Sequence, residues 1–160
     1  MNKAVFLDRD GVINRDTTGV YTYKISDFVF NDEIIESLKI LQDKGYLLII
    51  ITNQGGISKG VYTAGDVEVL HEHMLSVLNR EGIKITEIYF CPHHSDRERC
   101  LCRKPGSLLL EKAIARFNID PERSYFIGDK ESDTAAGRQA GLNTVKTEMN
   151  RSIKKICSRI

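Results

Sequence analysis

An α/β fold, with a mostly parallel sheet and helices on both of its faces, is predicted by three features of this sequence. Short apolar runs rich in β-branched residues recur along the chain and end abruptly in polar residues, the pattern of strands covered on both sides. Between them lie stretches with apolar residues at helical spacing, several of them closed by glycine. This alternation runs the length of the chain, and strand–helix–strand repeats imply crossovers onto a single sheet.

The first strand is the apolar run Ala4 to Leu7, which ends in "DRDG". A helix is expected over 31–45, with Ile34, Leu38 and Leu41 on one face and Gly45 as its stop. "YLLIIITNQGG" is a continuous apolar run closed by a turn, hence a buried strand. Thr63 can cap the next helix with Asp66 three residues on, and Val67, His71, Met74, Leu75 and Leu78 make its inward stripe. "ITEIYFC" reads as the third strand and Ser107 to Asn118 as a helix, through Leu109, Ala113 and Phe117. "SYFIGD" is a fourth strand ending in an acid, "TAAGRQAG" a helix stopped by Gly141, and "NTVK" a short fifth strand. Ile153, Ile156 and Ile160, at helical spacing, pack a terminal helix. The sum is a Rossmann-like three-layer sandwich. The sequence has no internal repeat, low-complexity tract or Pro/Gly/Ser-rich linker, so one domain over residues 1–160 is expected.

Lys and Arg total 23 against 22 Asp and Glu, a formal charge of +1, which argues against a protein that coats nucleic acid or anionic membrane. No apolar run approaches the ~20 residues that span a bilayer. An acid as early as Asp8 does not fit a secretory signal, so a cytoplasmic protein is expected. Cys91, Cys100 and Cys102 cluster while Cys157 stands alone, a usage that fits a metal site better than a disulfide framework. Cys157 is read as a packing residue, as is His71, with His73 on the surface.

In an open parallel sheet, ligands bind beyond the carboxyl ends of the strands. Those ends deliver Asp8 and Asp10, then Thr52 and Asn53, then Arg103 and Lys104 after the third strand, then Asp129 with Asp133 a turn later. Carboxylates converging on one edge repel unless a cation neutralises them, and oxygen ligands of this kind suit Mg²⁺. Donors around Thr52 and Asn53, with the Lys104 charge, suit phosphate.

Cys91-x-His93 followed by Cys100-x-Cys102 supplies four ligands of the kind that close a tetrahedral structural Zn²⁺ site over 91–102. Three cysteines among Ser, Asp, Arg and Glu are not in an apolar setting, which disfavours their being small core residues. The loop re-enters the fold just before Arg103 and Lys104, so the metal would fix those cations. His94 could replace His93 as ligand or contact substrate, and is read first as solvated.

"FLDRDG", "ITNQGG", "RKP" and "GDKESD", in this order and spacing, resemble the four motifs of the haloacid dehalogenase (HAD) superfamily of phosphohydrolases. The resemblance implies that Asp8 attacks phosphorus and carries an aspartyl phosphate, with Asp10 as general acid and then base. It implies Mg²⁺ held by Asp8, the Asp10 carbonyl oxygen and Asp129. Thr52, Asn53, Gln54, Arg103 and Lys104 would meet the phosphate or its ester, and Lys130 would support them. Asp133 would orient Lys104 or a metal-bound water; its alternative is an acid at a helix N-terminus.

"DRDGVIN", "TNQGGISKG" and "CRKP" resemble the capless zinc-loop branch that holds heptose 1,7-bisphosphate phosphatases and histidinol phosphatases. The second turn favours a sugar bisphosphate cleaved at its 7-phosphate, as in making a lipopolysaccharide precursor, although Gly55 and Lys59 stand where Ser and Arg are usual. Lys59 and Arg103 could then meet the second phosphate. The short His93-to-Cys100 interval is closer to histidinol phosphatases, whose substrate would need Asp16 or Glu98 for its ammonium group. A polynucleotide 3′-phosphatase and a non-enzymatic phosphate-binding or zinc module are more distant alternatives. The expected partner is a small phosphorylated metabolite, with neither nucleic acid nor membrane, bound by a monomer.

Overall fold

The computed structural model describes residues 1–160. Its five strands are β1 (Ala4–Leu7), β2 (Leu47–Asn53), β3 (Glu87–Cys91), β4 (Tyr125–Gly128) and β5 (Asn143–Lys146), hydrogen-bonded in the order β3-β2-β1-β4-β5. Every pairing is parallel. The most apolar short run has become the central strand, because only a strand with helices on both faces can bury every one of its side chains. All four residues of β1 are fully buried.

Strand alternation divides the interior into two layers. Val5 and Leu7 of β1, with Leu48 and Ile50 of β2, face one core cluster, whereas Ala4, Phe6, Ile49 and Ile51 face the other. The first cluster is closed by α1 (Ile34–Asp43), α2 (Ala64–Arg80) and the short α5 (Lys154–Arg159), through Leu38, Leu41, Met74, Leu78 and Cys157. The second is closed by α3 (Leu108–Arg116) and α4 (Glu131–Gln139), through Leu109, Leu110, Ala113 and Ala136.

Helix α2 starts where the sequence places it: the Thr63 hydroxyl accepts from the Asp66 N–H, and the Asp66 carboxylate accepts from the Thr63 N–H. Its buried stripe is Val67, Leu70, His71, Met74 and Leu78. Leu70 takes the place expected of Leu75, which is only half-buried, since the stripe follows 3.6 residues per turn and drifts off a fixed spacing. Helix α1 starts at Ile34 rather than Asn31, because the Asn31 side chain instead donates to the carbonyls of Val12 and Arg151 and ties three loops together. Only the 3₁₀ turn Ile25–Asp27 lies between β1 and α1, and no helix or strand is inserted between β2 and α2, so no cap covers the sheet edge. No helix is long and apolar enough to cross a membrane.

Gly137 of α4 packs directly on the sheet: a Cβ there would lie 2.6 Å from Thr144 Cγ2 and 3.2 Å from Phe126 Cβ. Gly137→Ala should gain about 1 kcal/mol of helix propensity and lose roughly 1–3 kcal/mol to overpacking. A lower urea midpoint is therefore expected. A midpoint equal to or above that of the parent protein would show that α4 can lift off the sheet without cost.

Candidate active site

The order of the sheet reverses at β1, the point at which a crevice opens outside the carboxyl ends of the strands. Asp8 leaves the tip of β1 and Asp129 the tip of β4, while Thr52 and Asn53 end β2. Lys104 arrives from outside the sheet. Its backbone is docked on β2 by a reciprocal pair: the Lys104 N–H donates to Asn53 Oδ1 at 3.1 Å, and Asn53 Nδ2 donates to the Lys104 carbonyl at 3.2 Å.

The Lys104 ammonium, 4% exposed, lies 2.8 Å from Asp8 Oδ1 and 2.6 Å from Asp133 Oδ1, and donates to the Ile51 carbonyl at 3.0 Å. The ammonium thus donates to Asp8 and to the Ile51 carbonyl and is ion-paired with Asp133, whose Oδ1 accepts no hydrogen bond. Asp8 Oδ1 also accepts the Arg9 N–H, which leaves Oδ2 as its free oxygen. Asp133 performs both of the tasks weighed for it, binding Lys104 through Oδ1 and capping α4 by accepting the Lys130 N–H through Oδ2.

One ammonium does not balance this group. Ligand oxygens of Asp8, Asp129 and Asp133 lie within 4.8 Å of one another. Burial pushes the Asp8 carboxyl up to about 8, with Asp133 adding to the rise and Lys104 opposing it. Burial works against the Lys130 ammonium, but Asp8, Asp129, Asp16 and Asp133 more than offset it and hold the group above the usual lysine value. Asp129 Oδ1 is buried with no hydrogen-bond partner. The Asp129 carboxylate occupies space that only glycine at position 11 leaves open, since a Cβ on Gly11 would come within 2.5 Å of Oδ2. An orphaned, packed carboxylate oxygen beside a second acid is the donor set of a hard divalent cation, and these residues fit Mg²⁺.

Asp10 is treated differently. Burial opposes its charge, yet Arg9, Asn14 and Gln54 all donate to it and bring its carboxyl below the ordinary range. Thr52 is buried, and its hydroxyl oxygen accepts from Gln54 Nε2, leaving its proton free to donate into the crevice.

Cys91 Sγ lies 2.9 Å from Cys102 Sγ and 3.6 Å from Cys100 Sγ, with His93 Nδ1 at 3.5 Å from Cys91 and 3.2 Å from Cys102. These sulfurs are well beyond the ~2.05 Å of a disulfide bond, and all four atoms converge on one point, which fits tetrahedral Zn²⁺. Burial pushes the Cys91 thiol up; desolvation does the same at Cys100, but the Arg103 N–H and neighbouring thiols overcome it and bring Cys100 down to about 7. The loop is fastened to the turn after β2, where Gln54 and Ser58 N–H groups donate to the carbonyls of Cys91 and Pro92. Gly55 allows the close approach, because a Cβ there would sit 2.7 Å from His94 Cδ2 and 3.0 Å from the Arg103 guanidinium.

The crevice has a volume of about 660 Å³, and Asp10, Asp16, Asn53, Gln54, Lys59, Arg103, Lys104 and Lys130 all line it. His94 lines it as well and is only half-buried on the wall; the expectation of a solvated residue is corrected, because Gly55 lets the ring fold inward. Glu98 is not in the crevice but accepts from Ser58 on the surface. A larger groove, about 1230 Å³, lies beside α5, but its charges are largely paired with one another, as in Lys154–Glu33 and Arg151–Glu148.

Two residues of this site escaped the sequence reading. Arg9 is fully buried and holds Asp10, and Tyr62 is buried with its hydroxyl on Gln54 Oε1 at 2.7 Å. Arg9 was legible in principle: strand alternation sends it away from Asp8, straight into a helical layer, where a charge needs a partner. Tyr62 carried no such signal.

A central parallel sheet that sets two acids, a hydroxyl and a buried lysine around one crevice defines a phosphohydrolase of the HAD type. Residues 101–151 match the HAD-hydrolase-like family model. A D-glycero-β-D-manno-heptose-1,7-bisphosphate 7-phosphatase of Haemophilus ducreyi is 43% identical over 148 residues, covering 89% of this chain and 80% of the relative. A D-glycero-α-D-manno-heptose-1,7-bisphosphate 7-phosphatase of Campylobacter jejuni is 47% identical over 143 residues, with the same coverage of 89% and 80%. The crystal structure of D,D-heptose 1,7-bisphosphate phosphatase from B. bronchiseptica, complexed with magnesium and phosphate, shares the fold with a TM-score of 0.86 at 24% identity, over 97% of this chain and 84% of that one. The chain belongs to the HAD-like phosphatases, in the family of these heptose-bisphosphate enzymes.

Two measurements test the metal sites. Burial raises the Asp8 carboxyl to about 8, so Mg²⁺ uptake near neutral pH should release protons. Calorimetry in buffers of different ionisation heat reads this directly, and Asp8→Asn should bind without the release; uptake by the parent protein with no buffer dependence would mean that Lys104 already ionises Asp8. Elemental analysis should find one zinc per chain, lost in Cys102→Ser together with most phosphatase activity. Full activity in a zinc-free protein would remove the loop from any role in placing Lys104.

Proposed function

We propose that the protein removes the 7-phosphate of a D-glycero-D-manno-heptose 1,7-bisphosphate by way of a phosphorylated Asp8. The observation that carries this reading is the buried Asp8–Lys104–Asp133 group beside the unpartnered Asp129 oxygen, facing a crevice whose far wall holds Lys59, Arg103 and His94. When bound by Asp8, Asp129 and the Asp10 carbonyl oxygen, Mg²⁺ neutralises these acids and the incoming phosphate, so that two anions can approach. Cys91, His93, Cys100 and Cys102 would fill the four positions of Zn²⁺ and give it a structural role.

Asp8 attacks phosphorus through a carboxylate oxygen while Lys104, Thr52 and the Asn53 turn donate to the equatorial oxygens. As the bond from phosphorus to the sugar oxygen breaks, Asp10 gives its proton to that oxygen, and the sugar leaves as an alcohol. Asp10, now a carboxylate, takes a proton from water as the water oxygen attacks phosphorus. The bond to Asp8 breaks, phosphate leaves, and Asp10 regains its proton.

The choice of a bisphosphate rests on charge. Lys59, Arg103 and Lys130 line the crevice against Asp16, which lies 3.9 Å from Lys130. Glu98 is turned away. A substrate ammonium would therefore meet one acid among three cations, whereas a second phosphate would meet Arg103 and Lys59, the latter exchanging its exposed partner Asp96 at 3.4 Å. The active unit is taken to be one domain over 1–160, a cytoplasmic monomer acting apart from nucleic acid; the near-neutral charge of +1 supports the last of these.

Phosphate release from heptose 1,7-bisphosphate and from histidinol phosphate, with and without Mg²⁺, tests the reading: Mg²⁺-dependent turnover should be far faster on the bisphosphate. Asp8→Asn should abolish turnover with zinc content unchanged. Lys59→Ala should raise KM for the bisphosphate roughly tenfold or more, the worth of one charged hydrogen bond, with little effect on a simple monophosphate. Equal losses on both esters would remove Lys59 from the second-phosphate site, and preference for histidinol phosphate would overturn the substrate assignment.

A further inference from the structure

We propose that His71 and Arg9 form a positioning pair that aims the acid/base carboxyl of Asp10, an inference that rests on the catalytic reading above. Asp10 lines the crevice, but Arg9 before it turns toward α2, where it meets His71, and is fully buried. Its guanidinium is spent on three partners. Nε and Nη2 donate to Asp10 Oδ1 at 3.1 and 2.8 Å, Nη2 donates to the Thr22 carbonyl at 2.7 Å, and Nη1 lies 3.1 Å from His71 Nε2.

A guanidinium has only donors, so His71 Nε2 must accept, and the imidazole is the neutral tautomer with its proton on Nδ1. Burial, reinforced by the Arg9 charge, pushes His71 down to about 3, which keeps that form in place at neutral pH. A carboxylate at this position would hold Arg9 equally well but would cancel the charge that reaches Asp10. A neutral acceptor holds the guanidinium and leaves its charge intact.

The consequence falls on the two oxygens of Asp10. Oδ1 accepts from Arg9 Nε, Arg9 Nη2 and Asn14 Nδ2, which fills it. Oδ2 accepts only from Gln54 Nε2, at 3.1 Å. The orientation of that amide is itself fixed, because Tyr62 donates to Gln54 Oε1 and Gln54 Nε2 must then face Asp10 and Thr52. The proton that Asp10 carries into the reaction is therefore on Oδ2. The Thr22 contact ties the loop over residues 16–23, which lines the crevice, to the same guanidinium.

Losing His71 would leave Nη1 buried without a partner and free the guanidinium to turn, so the damage should appear only where the leaving group needs a proton. The test compares an alkyl phosphate, glycerol 3-phosphate, with p-nitrophenyl phosphate, whose phenolate departs unaided. His71→Met should lower kcat on the alkyl ester by about 10–100-fold, part of the usual worth of general acid catalysis, with KM nearly unchanged, and should lose far less on the aryl ester. His71→Gln, whose Oε1 can accept from Nη1, should restore most of the alkyl activity. Zinc content and the urea midpoint report folding. Where His71→Met does not fold, Arg9→Lys, which keeps the charge but not the two-pronged contact, must show the same ester dependence. Equal losses on both esters, or none, overturn the pair while leaving the phosphatase reading intact. A parent protein inactive on both esters and on heptose bisphosphate overturns both.

Discussion

The site depends on one buried ammonium. Lys104 sits between Asp8 and Asp133 where water cannot screen any of the three, so the arrangement is held by geometry and not by charge alone. Burying ions costs several kcal/mol each unless partners are close and well aligned. Removing one member would strand the others, and this makes the triad a constraint on everything near it: the β1 tip, the N-terminus of α4 and the segment that delivers the lysine must all keep their places. Asp133 serves two of these at once, binding Lys104 through one oxygen and ending α4 through the other.

The lysine is the one member that neither a strand tip nor a helix supplies. Residues 92–103 leave the end of β3 and return without helix or strand, and a polar segment of that length has little of its own to fix it. Two devices do so. The sulfur and imidazole ligands gather the loop about a metal, while Asn53 grips the Lys104 backbone from the β2 tip in both directions. A structural metal so close to a catalytic cation is thus a positional device. The same loop places Arg103 and His94 on the crevice wall, so the zinc loop both completes the phosphate site and shapes the space beyond it.

The sequence made most of this legible where periodicity or position carries the information. Apolar runs gave the strands, and their ends gave Asp8, Thr52, Asn53 and Asp129. Asp133, a turn after the β4 tip, is open by its spacing to Lys104 and to the start of α4, and it touches both. What stayed hidden depends on packing between segments distant in the chain. Strand alternation can place Arg9 inside, but its partners His71 and Thr22 are met only once α2 and the loop after β1 are laid against it. His71 fits a packing stripe by spacing, and spacing says nothing of what its ring meets. His94 became a wall residue only because Gly55, some forty positions earlier, lacks a side chain.

Taken alone, the two motif acids are in the wrong states for the first chemical step. In the proposed mechanism Asp8 attacks and Asp10 gives the proton, yet Asp8 is pushed toward its protonated form by burial and Asp10 is pulled toward its ionised form by Arg9, Asn14 and Gln54. Each is reversed by what the reaction brings. A divalent cation beside Asp8 favours its carboxylate, and a phosphate dianion entering the crevice favours the protonated form of Asp10. Because the two corrections come from different ligands, only the assembly of protein, metal and phosphate ester holds both acids in the working state. Asp8 is therefore a weak nucleophile toward anything that arrives without a metal. Asp10 begins the second step in the form that its surroundings already prefer, and the clamp on Oδ1, a burden when Asp10 must hold a proton, becomes an aid once it must take one from water.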